Sequence, residues 1–290
     1  MIKRSHIRQF LAVVETGSFT QAAARIRVTQ PTLSAGIAEL ERQVGTRLFV
    51  RNRRRIRMTE AGGKFLPIAR ELERNFLAAD NFGEARAGNW PDIRLGVLNT
   101  IAAPLLERIS AHFAARFSLE LVEGNESELD GALANGRIDA ALTLLHGADD
   151  PASAFPLLTE PYAMLVRAGH PLLARGTVRP DELASETMIA RRNCELLDET
   201  SRFFTRHRVR PRFALRSSDD TRCIAMVAAG IAITTAPLSF ARDGVTPLPI
   251  EGYDYSRTLG LRLGSRWLDG DERRGQVAAL AGDLRADLAA

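Results

Sequence analysis

Apolar positions at helical spacing open the chain. In HIRQFLAVVETG (6–17), Ile7, Phe10, Leu11 and Val14 fall on one side of a helix, with Ser5 as candidate N-cap and Gly17 as candidate stop. Ser18 followed by Gln21 has the spacing of a capping box, and the alanines at 22–24 favour a second short helix over about 19–26. In VTQPTLSAGIAELE (28–41) and the residues just after it, Leu33, Ile37, Leu40 and Val44 share a face. Thr29 is the candidate cap, Pro31 fills the first turn and Gly45 is placed to end the helix. Gln30, Thr32, Ser34, Ala35 and Ala38 form the opposite side, which is narrow and carries no bulky charge.

The period then changes. LFVRNRRRIRMTEAG (48–62) interleaves Val50, Ile56 and Met58 with arginines, which predicts short strands around 48–50 and 56–58 joined by a basic turn. From Thr59 to about Arg86, Phe65, Ala69, Leu72, Phe76 and Ala79 recur at intervals of 4, 3, 4 and 3. That heptad seam suits a partner helix or a face of the same chain. GNWP (88–91) marks a hinge. Beyond it, apolar strands alternate with amphipathic helices: IRLGVL, LELVEG, IDAALTLL, then YAMLVRAGHPL, TMIAR, RFALRS, IAITTAP and LGLRLGS, with DERRGQVAALAGDLRADLA as a final helix. This pattern predicts an α/β multidomain chain with a parallel sheet. Its units are 1–58, a linker helix 59–87, and 92–290, the last split into one half (92–161 and 266–290) and another (162–265).

Charge sharpens the reading of the first unit. Residues 1–58 hold 12 Lys+Arg against 3 acids (Glu15, Glu39 and Glu41), a balance of +9; residues 59–290 hold 27 against 32, a balance of −5. Basic charge packed into the first fifth of a chain points to a polyanion partner, with a solvated basic surface as the bland alternative. Two short helices joined by a tight turn describe a helix-turn-helix. The major groove of DNA admits one helix, and short Gln, Thr and Ser side chains let the backbone approach while offering donors and acceptors to base edges. The candidate contacts are Ser18, Thr29, Gln30, Pro31, Thr32 and Ser34. Arg51, Arg53, Arg54 and Arg55 on a hairpin wing suit phosphates and a narrow minor groove.

FLAVVETGSFTQAAARIRVTQPTLSAGIAELERQVGTRLFVRNRRRIRMTEAG resembles the N-terminal DNA-binding domain of LysR-type transcriptional regulators. The matching features are FxxVxxxGSFxxAA, QPTLSxxIxxLExxxGxxLF, and an Arg-rich wing closing in TEAG. Ala35 departs from the pattern, since many members carry a basic or polar residue there. By element order, and by GRIDAALT and AGHPL, residues 92–290 resemble the periplasmic-binding-protein-like effector domain of the same family, with two subdomains. The resemblance implies a transcriptional regulator that binds double-stranded operator DNA as a homodimer or homotetramer through the linker helix. It also implies a small-molecule effector and, for an activator, contact with RNA polymerase.

Ligands of open α/β sheets sit beyond the strand carboxyl ends. Asn99 and Thr100 end the first strand and open a helix, whose free N–H groups favour a carboxylate or other anion. In similar proteins a hydroxyl residue matching Thr100 contacts the effector. Asn125 and Thr143 also end strands, and Arg192, Asn193 and Cys194 follow TMIAR on the facing half. Each equally suits a helix cap or a surface loop. Some members of the family sense oxidants through a cysteine pair. Cys194 sits roughly where one such cysteine would, beside Arg191 and Arg192, which are placed to lower its pKa. No second cysteine follows nearby, so a single-thiol sensor stays open.

Other chemistry is not encoded. The five histidines lack zinc-ligand spacing, and no phosphate-binding loop, zinc-protease motif or nucleophile elbow occurs, so no metal, cofactor or catalytic residue is assigned and no enzyme is expected. The N-terminus does not read as a signal peptide. The most apolar stretch, CIAMVAAGIAITTAPL (223–238), is too short and interrupted to span a bilayer; with two cysteines, this reads as a cytoplasmic protein without a membrane partner. The competing reading is an α/β solute-binding or enzymatic domain with an accessory basic domain.

Overall fold

A computed structural model of the chain describes residues 1–52, 55–80, 92–264, 267 and 271–289. The N-terminal unit holds three helices, α1 (Arg4–Thr16), α2 (Phe19–Arg25) and α3 (Gln30–Val44), then the hairpin of β1 (Phe49–Asn52) and β2 (Arg55–Met58). Gly17 and Gly45 take left-handed φ values of 64° and 77° to end α1 and α3. Ser5 is not the cap of α1: the helix starts earlier, where His6 Nδ1 accepts the Lys3 amide (3.4 Å) and leaves Ser5 inside the first turn. Ile7, Phe10, Val13, Ala22, Ala23, Leu33, Ile37 and Leu40 make one small core. Phe10 joins it to the wing and to the next helix, with ring centroids 5.3 Å from Phe49 and 5.2 Å from Phe65.

The linker helix α4 spans Glu60–Asp80, and the Thr59 hydroxyl caps it by accepting the Gly62 amide (2.9 Å). Its seam divides. Phe65 and Ala69 lie in the N-terminal unit's own core, and Leu72 packs half-buried against it, so this part of the heptad pattern serves the same chain. Ile68, Phe76 and Leu77 stay exposed on the helix. The predicted hinge at 88–91 lies outside the described residues.

Seven of the remaining strands make the main sheet: β3 (Asp92–Leu98), β4 (Ser118–Gly124), β5 (Ala140–Leu144), β6 (Ala154–Arg167), β9 (Thr234–Pro237), β10 (Val245–Leu248) and β11 (Ser256–Leu263). Six of them follow the order β10-β6-β11-β5-β3-β4, and β9 also pairs with β6. The expected parallel sheet is mixed: β4, β3 and β5 are parallel, and every pairing of β6 and β11 is antiparallel. The physical reason lies in the connections. Parallel neighbours need a crossover, which α5 (Ala103–Ala114) and α6 (Glu126–Ala134) supply, while β5 reaches β6 through a loop without a helix. Because β11 pairs with β5, residues 256–263 belong to the first half, and the chain returns there before residue 266.

The second half contains a parallel pair, β7 (Thr187–Arg191) with β8 (Arg212–Ser217), connected by α7 (Leu197–Arg206). A bridge from Met188 to Ile233 ties β7 to the start of β9, and α8 (Asp220–Ala228) packs into the main core through Cys223, Ile224 and Val227. The final helix α9 (Asp271–Ala289) lies along α5, where Asp283 and Asp287 meet Arg116 and Arg108.

Candidate functional site

Two places concentrate the sequence-derived candidates. The first is the N-terminal end of α3. Leu33, Ile37 and Leu40 are fully buried, which fixes the helix and leaves Thr29, Gln30, Pro31, Thr32, Ala35 and Ala38 exposed, with Ser34 half-buried. The polar groups are already ordered. Thr29 Oγ1 accepts the Thr32 amide (3.3 Å) and meets the Thr32 hydroxyl (2.8 Å), and Gln30 Nε2 donates to Ser34 Oγ (3.0 Å). Ser18 is half-buried, and its hydroxyl caps α2 by accepting the Gln21 amide (3.4 Å). One residue that the pattern passed over is Gly36. A Cβ there would lie 1.7 Å from Oε1 of the buried Gln9, so an alanine would require the Gln9 amide to move.

The wing follows α3 in the chain. Asn52 pairs with Arg55 across the ladder, and exposed Arg57 lies opposite Val50. Arg53 and Arg54, and the side chains of Arg51 and Arg55, lie outside the described residues. The acids of this unit are committed to the unit itself. Glu15 pairs with Arg25 (2.8 Å), and Arg42 holds the Glu39 carboxyl down to about 2. Glu41 Oε1 accepts the amides of Leu48 (2.8 Å) and Phe49 (3.1 Å), tying the wing to α3. Of the unit's cations, Arg4 and Arg8 are met by Glu73 on α4, so part of the positive excess is balanced within the chain.

The second place is the join between the halves of the α/β unit. Thr100 is buried just beyond β3, and its carbonyl and hydroxyl accept from Arg257 Nη1 (3.1 and 3.3 Å). Arg257 on β11 faces Glu160 on β6 as a direct cross-strand pair, with Nε donating to Glu160 Oε1 (2.9 Å). Its Nη1 also donates to Glu195 Oε1 (2.6 Å), just after β7. Glu160 in turn accepts from the Ser239 amide (2.8 Å) and hydroxyl (3.1 Å). Five chain segments meet here. Arg257, Glu160, Glu195, Ser239 and Tyr162 were not among the sequence candidates. The available signal was a lone acid in LLTEPYAMLV and a lone cation in SRTLGL, since charges in buried strands are kept only when paired.

The other candidates scatter. Asn99 is exposed. Asn125 caps α6 by accepting the Glu128 amide (3.0 Å), the structural alternative named for it. Thr143 is fully buried in β5. Arg192 is exposed, and Asn193 Nδ2 donates to the Ser218 carbonyl (3.1 Å). Cys194 is buried. Its thiol is pushed above its ordinary value by burial, which outweighs the opposing pull of Arg191, and Glu195 adds to the rise. Arg191 is spent elsewhere: Nε donates to Asp220 (2.8 Å), and the guanidinium lies 4.5 Å from the Phe240 ring centroid. The expected lowering of the Cys194 pKa therefore fails. The expected anion site at Thr100 also changes character, because the acceptors there are already engaged by an arginine and two carboxylates stand beside it.

Comparison with known proteins gives matches over most of the chain. The family model for the bacterial regulatory helix-turn-helix protein, lysR family, matches residues 5–63, and the LysR substrate binding domain matches 87–281. A probable hydrogen peroxide-inducible genes activator of Mycobacterium xenopi is 36% identical over 179 residues, 59% of this chain and 93% of that protein. Full-length OxyR from Pseudomonas aeruginosa superposes with a TM-score of 0.64 at 22% identity, covering 98% of this chain and 95% of that one. CbnR in complex with its target DNA gives 0.59 at 19% identity, covering 97% and 99%.

Proposed function

We propose, for a chain that belongs to the LysR family of bacterial DNA-binding transcriptional regulators, an assignment of roles to its individual residues. Gln30, Thr32 and Ser34, with Thr29 and Pro31 at the helix entry, meet base edges and phosphates in the major groove. Arg51, Arg53, Arg54 and Arg55 take phosphates from the wing. Ser18, as the cap of α2, presents a helix N-terminus to the backbone of the duplex. The observation that carries this reading is the exposed, pre-ordered polar first turn of α3 above a fully buried apolar face.

Residues 1–58, 59–87 and 92–290 act as reader, coupler and sensor. Ile68, Phe76 and Leu77 on α4 supply apolar surface for a second copy, so the working form is a homodimer or homotetramer reading two half-sites. A small molecule at the join around Thr100 changes which arrangement of the oligomer is favoured, with no bond made or broken. When the output is activation, RNA polymerase is the further partner, and the place of action is the cytoplasm. Among the described residues no helix is long and apolar enough to cross a membrane.

The relatives named for hydrogen peroxide raise oxidation as an input. Burial of Cys194 and its raised thiol argue against it here. The chain's other cysteine, Cys223, is also buried, with its thiol pushed up to about 11. A bound effector is the better-supported signal.

The test is duplex binding by full-length protein at two salt concentrations. Replacing Arg53, Arg54 and Arg55 with Ala should weaken specific and random duplex alike and flatten the salt dependence by about one unit of log–log slope for each phosphate no longer neutralised. Unchanged affinity and slope would overturn the wing assignment.

A further inference from the structure

The charges at the join do not balance. The buried and half-buried group there holds two cations, Arg257 and Arg191, and three carboxylates, Glu160, Glu195 and Asp220. Each cation has a dedicated partner. Arg191 is closed on Asp220 through two donors, and Arg257 faces Glu160 directly across the β6–β11 ladder, with Nε and Nη2 at 2.9 and 2.8 Å from one Glu160 oxygen. Glu160 is completed by Ser239. Glu195 receives only a share of Arg257, through Nη1, which also serves Thr100. Its second oxygen, Oε2, is buried and meets no donor. Burial pushes the Glu195 carboxyl up, but Arg257 outweighs it and holds the group below its ordinary range, which favours the charged form.

A second observation points the same way. Tyr162, on β6, is 4% exposed, and its hydroxyl lies against Glu195 yet meets no partner at hydrogen-bond geometry. The phenol O–H is the donor beside Glu195, and once it turns there, lone pairs on both oxygens stay unfilled; Arg257 Nη2, also without a partner at good geometry, faces Glu160 (2.8 Å). An anion brought here would face the surplus negative charge and would find the Arg257 guanidinium already set between two carboxylates. An ammonium group offers donors only, three of them, and one unit of positive charge. It would satisfy both oxygens and neutralise the cluster, which would otherwise hold an uncompensated charge away from water at considerable cost.

We propose that the effector of this regulator carries a cationic nitrogen, a primary amine or amidine, seated between Glu195 and Tyr162. The proposal rests on the reading that the join is the effector site, and it replaces the expected anion with a cation. Any carboxylate the same molecule carries would have to lie away from this pair, toward the exposed Asn99.

The experiment is calorimetric titration of full-length protein with putrescine, agmatine, L-lysine and L-arginine, and in parallel with benzoate and succinate, followed by operator binding in the presence of each. The expected result is binding of at least one amine, with its affinity lowered about tenfold or more in Glu195→Gln and less in Tyr162→Phe, as loss of a charge-assisted partner requires. Thermal unfolding confirms that both variants are folded. Amine binding indifferent to both substitutions overturns the proposal, and so does the absence of binding by all four amines. If benzoate or succinate binds and shifts operator affinity, the effector-site reading stands and the cation falls. If no probe of either kind binds or shifts operator affinity, both fall together.

Discussion

Two adjacent glycines in the first turn of α4 should respond to alanine in opposite directions. A Cβ on buried Gly62 would lie 2.3 Å from the Leu48 carbonyl oxygen and 2.5 Å from Met58 Cγ, while a Cβ on exposed Gly63 meets nothing within 4 Å. Met58 can turn aside, but Leu48 cannot. Its carbonyl accepts the Thr59 amide (3.0 Å), and its amide donates to Glu41 (2.8 Å). Gly62→Ala must therefore push α4 away from the start of the wing by roughly an ångström. Overpacking of this kind costs about 1–3 kcal/mol, and the gain in helix propensity returns roughly 1 kcal/mol. Gly63→Ala keeps only the gain. In a unit of about 80 residues each kcal/mol moves the melting midpoint by roughly 4–8 °C. Calorimetry of the full chain should show the N-terminal transition falling for Gly62→Ala and rising for Gly63→Ala. Duplex affinity should fall in the first variant only, because Leu48 leads into the wing. If Gly62→Ala is as stable as the parent, or both variants shift alike, the close approach is not what holds α4 in place.

Gln30→Ala and Ser34→Ala, measured on operator and random duplex, should lose operator affinity by about 1–3 kcal/mol with little change on random sequence; equal losses on both would make these residues positioning contacts. Asp220→Ala strands the guanidinium of Arg191, whose side chain is 1% exposed, and should cost about 3–5 kcal/mol in urea unfolding of the effector domain; a loss under about 1 kcal/mol would mean that water reaches Arg191. Cys194→Ser should leave operator binding with and without added peroxide the same as in the parent; a peroxide response that disappears in the variant would restore the thiol as a sensor.

The N-terminal unit was legible almost residue by residue because each of its helices carries its own start, stop and apolar stripe within a few turns. Thr29, Pro31, Gly17 and Gly45 sit at helix ends as their chemistry requires. Gly36 and Gly62 were silent because their reason lies across space, in Gln9 and Leu48. The α/β unit was legible as an order of elements but not as pairing. Strand direction follows from connections, and nothing in the periodicity of 138–167 states that β5 and β6 lack a helix between them. The effector candidates were drawn from strand ends, a rule that found Thr100 but could not see Arg257, which is far from it in sequence and bonded to it in space. The heptad seam illustrates a different limit. Apolar spacing reports that a face is covered, without reporting by what, and half of this one is covered by the chain itself.

The two halves of the effector domain share a strand. β6 runs through both, pairing with β11 up to Pro161 and with β9 from Tyr162, and at that step the Tyr162 amide donates to the Tyr255 carbonyl (2.9 Å). The backbone connection between the halves is thus a ribbon two strands wide, beside the side-chain contacts that Arg257 makes across the join. Such a ribbon flexes across its flat face at little expense, whereas swinging in its own plane would stretch ladder hydrogen bonds on one side. Relative motion of the halves is therefore confined to a fold or a twist about one axis, like a door on a strap hinge, and Arg257 and Glu160 are rivets set in the strap beside the bend.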